Sequence, residues 1–355
     1  MKPLGSSFVL SILLILPAWL LLSSCNDTSA SRHEGVPAHW PKQINFAYTP
    51  SSEDPVASET RWKERVKYMS DYLGIPVKLF ETSSYGPTIE AMKSGKVDIS
   101  TIGSFSFMIA AEKAGVEPII CTGKRNEDGT VSVGNVRTII AVPADSPYNT
   151  MEDLINDSAN VIFAFSDAAS TTGHLIPRSG LIDMGIDPEE DFERVVYTQS
   201  NLNTMMTVVA GKVDAGGFQE SYFGRNVMRG RVSWDQIKIL WKSKPYLRPP
   251  VMVRGDLPRD LKEAIRNSYL DMEERAPELY ASRVERYKIY YGLDMAYVPV
   301  YDYMWDGMRE MAARLENMKL IEGRTGITDW DEEDRAEYIR NLETPRKPDP
   351  ILLFE

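Results

Sequence analysis

"TIEAMKSGKVDIST" (residues 88–101) and "TMMTVVAGKVDAGG" (204–217) follow one grammar, and that shared grammar decides the fold. Each carries apolar residues three and four positions apart, then Gly, then Lys-Val-Asp and a short run suited to a strand. The spacing predicts an amphipathic helix, a glycine that closes it in the left-handed conformation, and a strand. The copies lie roughly 115 residues apart, one in each half of the chain, so two similar α/β lobes explain them most simply.

The flanking sequence supports that plan. "QINFAY" (43–48), "PVKLFE" (76–81), "VRTIIAVP" (136–143), "NVIFAF" (160–165), "FERVVYT" (192–198) and "IKILWKS" (237–243) read as strands, and "ETRWKERVKYMSDYLG" (59–74) as a helix. Such alternation predicts α/β lobes with largely parallel sheets. "EPIICTG" makes Cys121 a small buried hydrophobe in a further strand. After Pro249 the pattern turns helical, in "PRDLKEAIRNSYLDM" and "YDYMWDGMREMAARLE". The runs at 136–143 and 237–243 bracket the second half and are expected to form a two-strand hinge. Lobe one is then 44–141 with 245–331, lobe two is 142–244, and 332–355 is a final helix and tail. A ligand would bind in the cleft between the lobes.

The first 24 residues read as a signal peptide. Lys2 precedes an apolar run, Phe8 to Leu22, that is too short for a confident spanning helix. It ends in Leu22-Ser23-Ser24-Cys25, which resembles a bacterial lipobox and makes Cys25 the acylated start of the mature protein. Residues 25–43 read as a polar tether. The chain has 51 acidic and 40 basic residues and no basic run, which argues against a nucleic-acid partner. Its two cysteines are Cys25 and Cys121, so lipidation of the first leaves no disulfide. Two of the three histidines, His33 and His39, fall in the tether, which leaves little for a metal site or a catalytic triad. No cofactor is implied.

The stretch "SDAASTTGHLIPRSG" (166–180) holds the candidate chemistry. If "NVIFAF" is a strand, Ser170 to Gly173 form the first turn of the next helix, whose N–H groups lack intrahelical partners and whose dipole favours an anion. The Ser170, Thr171 and Thr172 hydroxyls add donors, and Gly173 admits close approach to the backbone. The same residues also suit a plain helix cap. His174 is expected as a packed or exposed second-turn residue. Arg137 and Arg178 fit either the cleft or the surface.

"ASTTGHLIP" resembles the Ser-Thr-Ser-Gly-x-Leu-x-Pro signature of the phosphonate-binding proteins of ABC transporters. "SSYGPTIEAMKSGKVDIS", "ADSPYNTMEDL" and "LWKS" follow that family's order, so the resemblance runs from Ile44 to Val253 and more weakly to about residue 320. It implies a type II periplasmic-binding-protein fold: two α/β lobes, a two-strand hinge and an interlobe ligand cleft. It implies binding without catalysis. Ser170, Thr171 and Thr172 would hold ligand oxygens, and Tyr85 would donate from lobe one. Ser104 and Ser106 of "TIGSFSF" would face the cleft. Asn201, in Gln199-Ser200-Asn201, replaces the His of the family's usual Gly-Ser-His. Aminoalkylphosphonate binders carry acidic residues near the positions of Ser221 and Pro249, where an amine would here meet Arg248 or Arg254.

The resulting expectation is a lipid-anchored, extracytoplasmic, monomeric binding protein. It would hand phosphite, phosphate or a simple phosphonate to an ABC permease. The alternative is a sensor that reports an oxyanion to a membrane histidine kinase, with Cys121 as a soft ligand for an arsenic-type species. Replacing Thr171 and Thr172 together by Val is expected to lose most anion affinity and leave folding nearly intact.

Overall fold

The structure, a computed structural model, describes residues 35–48 and 55–315. The expected signal peptide, the expected lipidation site Cys25 and the expected final helix and tail at 332–355 lie outside the described residues.

The chain opens with β1 (Ile44–Tyr48), α1 (Pro55–Leu73), β2 (Val77–Glu81), α2 (Tyr85–Lys93), β3 (Ile99–Thr101) and α3 (Ser104–Ala114). β4 (Val116–Arg125), β5 (Val131–Val133) and the short β6 (Asn135–Val136) lead to β7 (Thr138–Pro143). A second run follows: α4 (Met151–Asn156), β8 (Ile162–Phe165), α5 (Ile176–Asp183), α6 (Pro188–Asp191) and β9 (Arg194–Tyr197). It continues through α7 (Asn201–Val209), β10 (Ala215–Gln219), α8 (Glu220–Met228) and β11 (Ile237–Lys242). The return passes through β12 (Tyr246–Leu247), β13 (Pro250–Arg254), α9 (Arg259–Leu270) and α10 (Met272–Arg275). α11 (Pro277–Tyr291), β14 (Met295–Pro299) and α12 (Asp306–Ala313) complete it.

These strands form a seven-stranded sheet in the order β14-β4-β13-β3-β1-β2, with β5 beside β4, and a five-stranded sheet in the order β11-β7-β10-β8-β9. Each sheet holds a parallel triplet, β2-β1-β3 in one and β9-β8-β10 in the other. The remaining pairs are antiparallel, so the sheets are mixed rather than largely parallel. Strand composition reports burial, whereas direction follows from where the chain leaves one sheet and rejoins the other. Apolar clusters cover both faces of each sheet, which explains the near-continuous hydrophobic strands.

The Gly-Lys-Val-Asp repeat builds the same unit twice. Gly95 and Gly211 take φ of 72° and 61°, a conformation that costs other residues roughly 1–2 kcal/mol. Each is followed by a lysine whose N–H reaches back into the helix, Lys96 to the Ala91 carbonyl (2.9 Å) and Lys212 to that of Thr207 (3.0 Å). The aspartates order the start of the neighbouring strand. Asp98 accepts the Asn45 N–H at 2.7 Å, and Asp214 accepts the Ile162 N–H at 2.8 Å.

The chain crosses between the sheets earlier than the expected break at 141/142. β7 already belongs to the second sheet, and the crossing strands are β6 and β12, which pair antiparallel. The described end of the expected tether is also part of the body. Val36 and Trp40 pack on the core, and His39 and Trp40 both donate to the Asp260 carboxylate.

Candidate functional site

"TIGSFSF" leads from β3 into a helix. From Ser104 it is the start of α3, capped by Gly103, whose missing side chain admits Thr171: a Cβ there would lie 2.9 Å from the Thr171 Oγ1. Ser104 donates to the Leu247 carbonyl (2.9 Å) and Ser106 to that of Ala169 (2.6 Å), so both hydroxyl protons are already used.

The hydroxyl cluster also starts a helix. Ser170 is the cap, its Oγ accepting the Gly173 N–H at 3.0 Å, and Thr171–Leu175 form one π-type turn that runs into α5. Ser170 spends its own N–H on the Asp167 carbonyl. The Thr171 and Thr172 amides, first in the helix, have no intrahelical acceptor. Gly173 is buried against the end of β8, where a Cβ would lie 2.0 Å from the Ser166 Oγ. Its close approach is to Ser166, and it does not line the cavity described next.

A cavity of about 300 Å³ is lined by the heads of five helices. Tyr85 heads α2, Ser104 heads α3, Thr171 and Thr172 lead into α5, Asn201 heads α7, and Gln219 caps α8. Both halves of the repeat contribute, because each parallel triplet sends its helix starts to the same edge. A helix start is worth about 0.3–1 kcal/mol to a nearby anion, and up to roughly 2 when partly buried. Their convergence makes the cavity favourable to anions before any charged side chain is counted.

The side chains add directed donors. Burial pushes the Tyr85 phenol up to about 12, with the Asp167 carboxylate adding to it, so Tyr85 keeps its proton. Asn201 accepts from the Thr172 hydroxyl (3.1 Å) and the Gln219 N–H (3.2 Å) through Oδ1. The backbone N–H fixes the amide's orientation and leaves its NH₂ as the donor at the cavity. Gln199, also in the lining, sits at φ 70°, the conformation that suits the glycine its position resembles. Among the described residues the charged ones in the lining are Arg225, Arg248 and Asp167. Neither arginine carries a local pattern that separates it from a surface cation.

Other candidates fall elsewhere. Arg178 is buried in ion pairs with Glu189 and Asp187, Arg137 donates to the Ser243 carbonyl, and Arg254 pairs with Asp98 and Asp256. Cys121 is fully buried in β4, its thiol pushed up to about 12 by burial. It does not line the cavity, so it offers no thiolate for an arsenic-type ligand there. No metal-binding cluster of His, Cys, Asp or Glu occurs among the described residues. A larger and more open groove, about 710 Å³, lies along α1 and α11. Two of its polar groups are already engaged, Lys67 with Asp71 and Tyr72 with Asp271.

The family model described as "ABC transporter, phosphonate, periplasmic substrate-binding protein" matches residues 46–289. The chain belongs to this family. It is a substrate-binding protein of an ABC importer and not an enzyme, and its family places it outside the cytoplasm. This phosphonate-family binding protein is 26% identical over 238 residues to the phosphonates-binding periplasmic protein of Escherichia coli, covering 66% of this chain and 68% of that one. It is 25% identical over 237 residues to the phosphate-import protein PhnD of Mycolicibacterium smegmatis, covering 63% and 70%. Among solved structures it is similar to the binding component of an ABC phosphonate transporter from Pseudomonas aeruginosa (TM-score 0.64, 21% identity, 85% of this chain and 94% of that one). PhnD1 of Prochlorococcus marinus, solved with methylphosphonate, matches with TM-score 0.64 at 16% identity over 78% of this chain and 99% of that one. These likenesses establish the type II periplasmic-binding-protein fold.

Thr171 in this binding protein does more than face the cavity. Its Oγ1 accepts the buried N–H of Phe105 at 2.8 Å, joining the turn before α5 to the start of α3. Thr171→Val should therefore cost about 1–3 kcal/mol of stability, the penalty of a buried N–H left without an acceptor. Urea unfolding measures it, and wild-type stability in the variant would show that water replaces the threonine. The double Val replacement thus tests stability and affinity together.

Proposed function

We propose that the protein is a lipid-anchored, monomeric receptor that closes on a small phosphorus oxyanion, of the phosphite, phosphate and simple phosphonate class, for an ABC permease. The observation that carries this reading is the meeting of five helix starts from both halves of the repeat at one cavity. Backbone amides of Thr171 and Thr172, the Tyr85 phenol and the Asn201 amide bind oxygens of the anion. Ser170 caps the turn, Ser104 ties α3 to Leu247, and Gly173 seats the turn on β8. The anion bridges both lobes and so favours the closed form, by as much as it prefers that form. β6 and β12 serve as the hinge, the permease reads closure, and acylated Cys25 keeps the receptor at the membrane.

Thermal unfolding of the protein with phosphate, phosphite, methylphosphonate, 2-aminoethylphosphonate, arsenate and arsenite tests this. A ligand at a thousandfold excess over its Kd adds about 4 kcal/mol, which raises the melting temperature by several degrees. A phosphorus anion is expected to give that rise. A response to arsenite alone, or to none of them, would sink the proposal.

A further inference from the structure

The cavity's cations are arranged for more than a bare oxyanion. Arg248 and Arg225 both line it, and Tyr291 stands between them. The Arg248 guanidinium lies 4.1 Å from the Tyr291 ring centroid and 5.0 Å from that of Tyr287. Arg225 lies 5.6 Å from the Tyr291 centroid and donates to its hydroxyl. Among the described residues Arg248 makes no ion pair, and its buried Nε has no hydrogen-bond partner. Among the described residues Asp167 is the one carboxylate in the lining, and it stands at the other group of residues, accepting the Ala169 N–H at 2.7 Å beside Tyr85.

Arg248, on an aromatic wall with no carboxylate beside it among the described residues, leaves buried positive charge that an anion can compensate. The helix starts already suit a tetrahedral oxyanion, which neither needs this wall nor fills a space equal to about ten waters in the liquid. A planar, forked guanidinium matches a carboxylate in two parallel hydrogen bonds. An ammonium would instead meet like charge.

The geometry points to a cargo with two acidic groups: a phosphonate that also bears a carboxylate, its phosphonate on the helix starts and its carboxylate on Arg248 and Arg225. This rests on the oxyanion reading above and extends it.

Calorimetric titration of the full-length protein with methylphosphonate, phosphonoacetate and 2-aminoethylphosphonate at constant ionic strength tests it. Phosphonoacetate should bind at least about tenfold tighter than methylphosphonate, the effect of a hydrogen bond between charged groups, and 2-aminoethylphosphonate more weakly than either. Arg248→Gln should bring the phosphonoacetate-to-methylphosphonate ratio toward one. Methylphosphonate binding as tightly as phosphonoacetate in the wild-type protein overturns the inference and leaves the oxyanion reading standing, whether or not the variant folds. A ratio unchanged by Arg248→Gln also overturns it. Failure of all three to bind also overturns it, and overturns the oxyanion reading only if phosphate and phosphite fail as well.

Discussion

Gly173→Ala is expected to cost about 3 kcal/mol of stability, near the upper end of what overpacking does in a well-packed core. The new Cβ would lie 2.0 Å from the Ser166 Oγ and 2.4 Å from its Cβ. Ser166 cannot step aside. It is fully buried, its hydroxyl is hydrogen-bonded to Thr204 at 2.8 Å, and its N–H donates to the Gly173 carbonyl at 2.8 Å. The relief must come from the turn, which carries the Thr171 and Thr172 amides with it. Oxyanion affinity should therefore fall alongside stability. Gly86→Ala is the control, since nothing lies within 4 Å of a Cβ there although it is next to Tyr85. Removing the opposing side chain, in Ser166→Gly with Gly173→Ala, should restore part of the stability. Urea unfolding that finds Gly173→Ala as stable as Gly86→Ala would mean the turn is not clamped.

Gly173 also shows what the sequence could and could not convey. A glycine after three hydroxyl residues at a strand-to-helix junction marks close approach, but not what approaches. The partner, Ser166, is set by the course of β8. The repeat was legible because its signals are local: apolar spacing for the helix, Gly95 and Gly211 for the closures, Asp98 and Asp214 for the strand starts. Convergence of five helix starts was not local. Only the turn at Ser170 announced itself, through its density of hydroxyls, while Ser104 and Ser106 gave no local sign that they begin α3. Arg248 was noticed only through the resemblance, as a group that an amine would meet, and the same reasoning named Arg254, which the fold commits to Asp98 and Asp256. Arg225 and Asp167 had no distinguishing pattern. Their place at the cavity follows from topology.

Acid should weaken the second lobe through His174, one residue beyond that glycine. Its ring is packed edge-on to Phe165, with centroids 5.1 Å apart, and tilted against Tyr197 at 5.6 Å. Burial, reinforced by the Arg178 guanidinium one turn further on, pulls its pKa down to about 4. An exposed imidazole in the unfolded chain titrates near 6.5. Between these values the unfolded chain binds the extra proton and the folded chain does not, so stability rises with pH across that window and is lost as pH falls through it. The full difference is about 3 kcal/mol. Burial raises the carboxyls of Asp98 and Asp167, which therefore act in the opposite direction, so the wild-type curve alone does not isolate the histidine. Comparison with His174→Gln does. Urea unfolding at pH 7.5 and 4.5 should show the wild-type protein losing more stability than the variant, each measured against its own value at pH 7.5. Equal losses would mean that the folded imidazole takes up its proton over the same range as the unfolded one, with Tyr197 and the Glu189 carboxylate near its hydroxyl offsetting burial.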